Sequence, residues 1–103
     1  MRPLADLLRS YYGSDFPVGT GSAKQDDPLV ITDQRDYVSI EHGVSQLLLD
    51  AGGCDYKLEQ QRLHNTDGRA VDELVYAVKP KGARDWVETK RFFFDISAGF
   101  NKR

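Results

Sequence analysis

Gln60, Arg62, His64 and Asp72 form a polar group in a stretch otherwise patterned for strands. A guanidinium, an imidazole and a carboxylate held together can orient a small ligand or move a proton between positions. Tyr56 and Tyr76 fall on the same alternation and would wall such a pocket. The same residues also suit a solvated hairpin tip carrying one cross-strand ion pair. No catalytic residue follows from the sequence.

Other residues invite chemistry and are better explained by packing. Cys54 with His42 or His64 suggests a thiol nucleophile beside a base, but Cys54 alternates in step with Tyr56 and Leu58 and reads as a packed thiol. His42 and His64 lack the spacing of metal ligands. No metal and no cofactor are expected. Gly19-Thr20-Gly21-Ser22-Ala23-Lys24 has glycines and a lysine, as phosphate loops do. It departs from the G-x-x-x-x-G-K-[ST] spacing, and Gln25-Asp26-Asp27-Pro28 follows where a helix is needed, so it reads as a surface loop. Trp86 beside Lys90 and Arg91 could stack on single-stranded RNA, yet reads first as a core residue. Glu41 and Asp50 read as solvated helix positions.

Composition narrows the function class. The chain has 103 residues, 40% of them apolar, and a net charge of −2. That length suits one domain, 1–103. Residues 1–53 carry 4 basic and 8 acidic side chains, and residues 54–103 carry 10 and 8. The basic excess in the second half is modest and the isoelectric point is about 5.6. A duplex nucleic-acid binder needs a stronger basic stripe. The single cysteine excludes an internal disulfide framework. No apolar run is long enough to span a membrane, and Arg2 and Asp6 interrupt the apolar start that a secretory signal requires. A cytoplasmic protein with no membrane partner is the expectation.

Periodicity supplies the elements that must position these residues. Leu4, Leu7, Leu8, Tyr11 and Tyr12 recur on one stripe of a helix that Pro3 can start and Gly13 can end. Residues 14–28 read as a long surface loop, and Leu29-Val30-Ile31-Thr32 as a candidate short strand. Tyr37, Ile40, Val44, Leu47, Leu48 and Ala51 lie in one arc of a second helix, with Asp33 as N-cap and Gly52-Gly53 as stop. From Cys54 the period becomes two. Asn65-Thr66-Asp67-Gly68 fits a four-residue turn closing on a left-handed glycine. That turn sets Tyr56 against Val78, Leu58 against Tyr76, Gln60 against Leu74, Arg62 against Asp72, and Leu63 against Val71. A third strand runs from about Trp86 to Ile96, with Trp86, Phe92, Phe94 and Ile96 on one face and Val87 and Phe93 on the other. Residues 97–103 are a tail that Phe100 could anchor.

The fold class is therefore α+β: two helices packed on an antiparallel sheet of three strands, four if Leu29–Thr32 joins, in the order helix, short strand, helix, strand, strand, strand. Tyr56, Leu58, Leu74, Tyr76 and Val78 give the sheet one apolar face, and Leu63, Val71, Val75 and Ala77 a second. The long helix covers only one. The first helix, a second subunit or a ligand must cover the other. The leading functional expectation is a non-enzymatic module that forms a homodimer or binds a protein partner through Leu63, Val71, Val75 and Ala77. The alternative is a small-molecule site or acid/base enzyme between helix and sheet, using Arg62, His64, Asp72, Tyr56 and Tyr76. Weak single-stranded nucleic-acid binding through Lys79 to Arg91 comes third.

Overall fold

A computed structural model describes residues 3–33 and 35–99. The elements follow in the order α1 (Leu4–Tyr12), β1 (Leu29–Val30), α2 (Tyr37–Ala51), β2 (Cys54–Thr66), β3 (Arg69–Pro80) and β4 (Glu88–Asp95). The fold is α+β, and the strands form one sheet in the order β1-β4-β3-β2. The meander β2-β3-β4 is antiparallel, whereas β1 pairs parallel to β4, Leu29 opposite Phe94. The sheet is thus mixed rather than purely antiparallel. A parallel neighbour needs a long crossover, and α2 with the meander behind it supplies one.

The hairpin differs from its sequence reading at the tip and agrees with it at the base. Asp67 and Gly68 both have positive φ, 52° and 75°, as a two-residue type I′ turn requires. Thr66 therefore faces Arg69, one residue tighter than expected. Arg62 is opposite Glu73, not Asp72; Leu63 is opposite Asp72, not Val71; and Leu74 faces Gln61, not Gln60. A β-bulge between Leu58 and Gln60 absorbs the difference, so Tyr56 faces Val78 and Leu58 faces Tyr76 as the pattern implied. The tighter turn has the twist that matches the flanking strands, and one extra residue, Glu59, restores the inward alternation.

The core lies between the helices and the face of β3 that carries Leu74, Tyr76 and Val78, with Phe94 and Ile96 beside them, all five at most 2% exposed. Both helices are rotated from their predicted stripes. In α1, Ala5 and Leu8 are buried, while Leu7, Tyr11 and Tyr12 remain exposed. In α2 the buried residues are Glu41, Val44, Ser45 and Leu49, while Tyr37, Ile40, Leu47 and Leu48 pack at the margin. The Asp33 carboxylate accepts from the backbone N–H groups of Arg35 and Asp36, closing a turn just before the helix, and Asp36 is the N-cap.

Residues 14–28 are ordered by backbone bonds. Gly19 N–H donates to Val30 at 2.7 Å, Val30 N–H to Thr20 at 2.8 Å and Thr32 N–H to Pro17 at 3.0 Å, so this segment flanks β1. Gly21 has φ 112°, and a Cβ there would meet the Pro28 carbonyl oxygen at 1.9 Å. The glycine allows two backbone segments to cross. Phe93 N–H then donates to Ala23, which fastens the segment to β4. Phe100 lies outside the described residues.

Candidate functional site

The face of the sheet turned away from the helices carries the charged residues that alternation excludes from the core. On β3 these positions are Val71, Glu73, Val75 and Ala77; β2 supplies Arg62 and His64, and β4 supplies Arg91, Phe93 and Asp95. Glu73 is 5% exposed and holds two neighbours. Its Oε1 lies 2.8 Å from His64 Nε2, and its Oε2 accepts from Arg91 Nη1 at 2.8 Å. Burial pushes this carboxyl up, but the hydrogen bonds from His64 and Arg91 outweigh burial and hold it below the usual glutamate value. Asp95 follows the same rule. Burial raises it, and the bonds from Ser97 and Arg69 lower it further than that.

A cleft of about 530 Å³ opens over this row, between the sheet and the Gln25–Pro28 segment. Val71 and Phe93 line it from the sheet, and Gln25, Asp26, Asp67 and Arg69 from the loop and hairpin tip. Hydrogen bonds between Ser22, Lys24 and Asp27 close the tight turn that presents Gln25 and Asp26. The volume suits a small organic molecule, and an apolar floor with a few fixed polar groups is the usual make-up of such a site.

The other face of the sheet buries a second polar group against α2. Glu41 and Ser45 are fully buried, and Tyr76 and Asp72 nearly so. Among the described residues, no hydrogen-bond partner is in place for either Glu41 oxygen, for Ser45 Oγ or for Tyr76 Oη. Asp72 accepts from Gln61 Nε2 at 2.7 Å. Burial, with Asp72 adding to it, pushes the Glu41 carboxyl up to about 10, so it is neutral at physiological pH. Burial also raises the Tyr76 hydroxyl. Glu41 is therefore a core residue, not the solvated position that its charge suggested.

The sequence-derived ligand residues are divided by the sheet. Tyr56, Tyr76 and Asp72 lie on the helix side, with the Tyr56 and Tyr76 rings 6.0 Å apart. Arg62 and His64 lie on the cleft side, where His64 lines the cleft. No single pocket gathers all five. Glu73 was missed, Arg91 was read as a neighbour of Trp86, and Glu41 as a solvated helix position. Glu73 becomes visible once the bulge is placed, because His64 and Arg91 are then its diagonal cross-strand neighbours. Glu41 could have been found from Ser45, one turn on and beside Val44. The four interface candidates also separate: Val71, Val75 and Ala77 share the cleft-side face, and Leu63 is on the other. Val75 and Ala77 are buried within the single chain. Trp86 precedes β4 rather than joining the Phe92 face. It is 42% exposed, and Lys57 and Lys79 place their ammonium groups 4.7 and 5.3 Å from its ring centroid. Cys54 is half-buried.

Fold and sites together define a small α+β protein with a cleft over one face of its sheet and a long strand, β2, at one edge. The chain matches no known family model, no curated protein and no solved structure. No helix among the described residues is long and apolar enough to cross a membrane. Among the same residues, no group of three or more His, Cys, Asp or Glu side chains is placed to hold a metal.

Proposed function

We propose that this protein is a non-enzymatic binding module of the cytoplasm that self-associates as a homodimer along the open edge of β2. The observation that carries this is the edge itself. β2 has 13 residues and, among the described residues, pairs with β3 alone, leaving its outer backbone groups without a strand there. Unpaired edges add a strand readily unless blocked. At the opposite edge, β1 is flanked by residues 17–20, so the two edges are not equivalent. The bulge also brings Leu58 and Leu63 onto one face of β2, where they are 42% and 43% exposed.

The strand is complementary to itself. An antiparallel copy related by a two-fold axis at Leu63 sets Leu63 against the partner's Leu63, with Leu58 on the same face of the strand. Apolar meets apolar at the centre of the contact. The contact replaces the one expected from Val71, Val75 and Ala77, and it keeps the reading of a protein that pairs through its sheet. The free thiol of Cys54 fits a reducing compartment.

Light scattering on a sizing column tests the proposal at two concentrations about tenfold apart. The wild type should give twice 11.6 kDa. The double variant Leu58→Lys, Leu63→Lys replaces two exposed side chains, so it should stay folded by circular dichroism and run as a monomer. A wild-type monomer at both concentrations, or a variant that remains dimeric, would reject the edge as the interface.

A further inference from the structure

The cleft has a charge arrangement that goes beyond self-association. The buried acids of this face have little left to offer a ligand. Both Glu73 oxygens are engaged, by His64 and Arg91, and both Asp95 oxygens are engaged, Oδ2 by Arg69 and Oδ1 by the Ser97 N–H at 3.0 Å. What these carboxylates do is hold two guanidinium groups still. Arg91 spends only Nη1 on Glu73, and Arg69 spends Nε and Nη2 on Asp95. Each has N–H groups left over, pre-oriented beside an apolar floor. The exposed acids are of another kind. Asp26 and Asp67 line the cleft from its loop and turn and enter no ion pair among the described residues.

Fixed donors at the sheet, uncommitted carboxylates at the rim and the Phe93 and Val71 side chains between them form a dipolar cleft. A simple anion would meet the rim acids, and a simple cation would meet the guanidiniums. We propose that the cleft binds a small amphoteric molecule, its carboxylate on Arg69 and Arg91, its ammonium toward Asp26 and Asp67, and an apolar body against Phe93. A free α-amino acid with an apolar side chain has this chemistry. A volume of about 530 Å³ holds such a molecule with room for water.

Three probes separate the two poles: L-phenylalanine carries both charges, hydrocinnamate only the carboxylate and phenethylamine only the ammonium. Each is titrated into the full chain while backbone amide resonances are followed. Saturable shifts at cleft residues are expected with phenylalanine, and about tenfold weaker binding with either half-probe. Asp26→Asn, on an exposed turn, should weaken phenylalanine severalfold and leave hydrocinnamate unchanged or tighter. Arg91→Gln should weaken phenylalanine and hydrocinnamate together. No saturable shift with phenylalanine up to about 50 mM would overturn the proposal, as would a half-probe that binds as tightly as phenylalanine. These readouts do not depend on oligomeric state, so the cleft and the β2 edge can fail separately.

Discussion

The two faces of the sheet treat the same functional group in opposite ways. On the helix side Glu41 is fully buried with, among the described residues, no hydrogen bond in place at either oxygen, and its carboxyl is pushed up to about 10. On the cleft side Glu73 is buried almost as deeply, yet lies below its usual value because His64 and Arg91 bond to both its oxygens. Burial acts on both in the same direction, and the partners decide the outcome. The cross-strand register of β2, β3 and β4 brings basic residues diagonally next to Glu73. The buried arc of α2 carries Val44, Ser45 and Leu49 beside Glu41 and no cation. From across the interface, another acid, Asp72, pushes the Glu41 carboxyl up further. One face has a satisfied ion-pair row. The other keeps a neutral carboxylic acid inside the core.

The largest expected effect tests the packing on the helix side. Leu74→Ala removes a side chain with no exposed surface and should cost about 3 kcal/mol, read from urea unfolding. A loss below about 1 kcal/mol would mean that the core can collapse around the gap.

Glu41→Gln addresses the contrast itself. A carboxyl raised in the folded state binds its proton more tightly there than in the unfolded chain, so stability is fullest below about pH 4.5 and falls as pH rises toward 10. The glutamine variant should remove that decline, gaining roughly 1–3 kcal/mol at pH 8 and almost nothing at pH 4. An equal effect at both pH values would show that Glu41 does not titrate differently on folding.

Glu73→Gln should act with the opposite sign and a smaller size, because His64 and Arg91 are about half exposed and screened by water. A lowered carboxyl contributes stability above its unfolded value, lost as pH falls through the folded one. The variant should therefore be about 1 kcal/mol less stable at pH 7, and the difference should shrink in acid. If Glu73→Gln were stabilising at neutral pH, the cleft-side row would not be a net attraction.

Much of the fold was legible in the sequence. The period change at Cys54 marks the passage from helix to meander, and the alternation separates Tyr76 and Val78 from Val75 and Ala77, as observed. The candidate site was legible only in pieces. Asp67-Gly68 supports either a two-residue turn or the end of a four-residue one, and the choice moves Arg62 from Asp72 to Glu73. A bulge at an unremarkable glutamate, Glu59, then hides the change from the base of the hairpin. The cleft wall at Gln25 and Asp26 carried no signal, since its shape depends on long-range bonds such as Phe93 to Ala23.

Composition and periodicity by themselves determined that this chain builds two amphipathic helices and a meander, because local hydrophobic spacing sets which segments can bury a face. Tertiary structure decided the rest. It joined β1 parallel to β4, turned α2 until Glu41 met the sheet, and left β2 open while residues 17–20 flanked β1. These outcomes depend on how elements far apart in the chain compete for one core and one set of strand edges. Local spacing does not encode that competition.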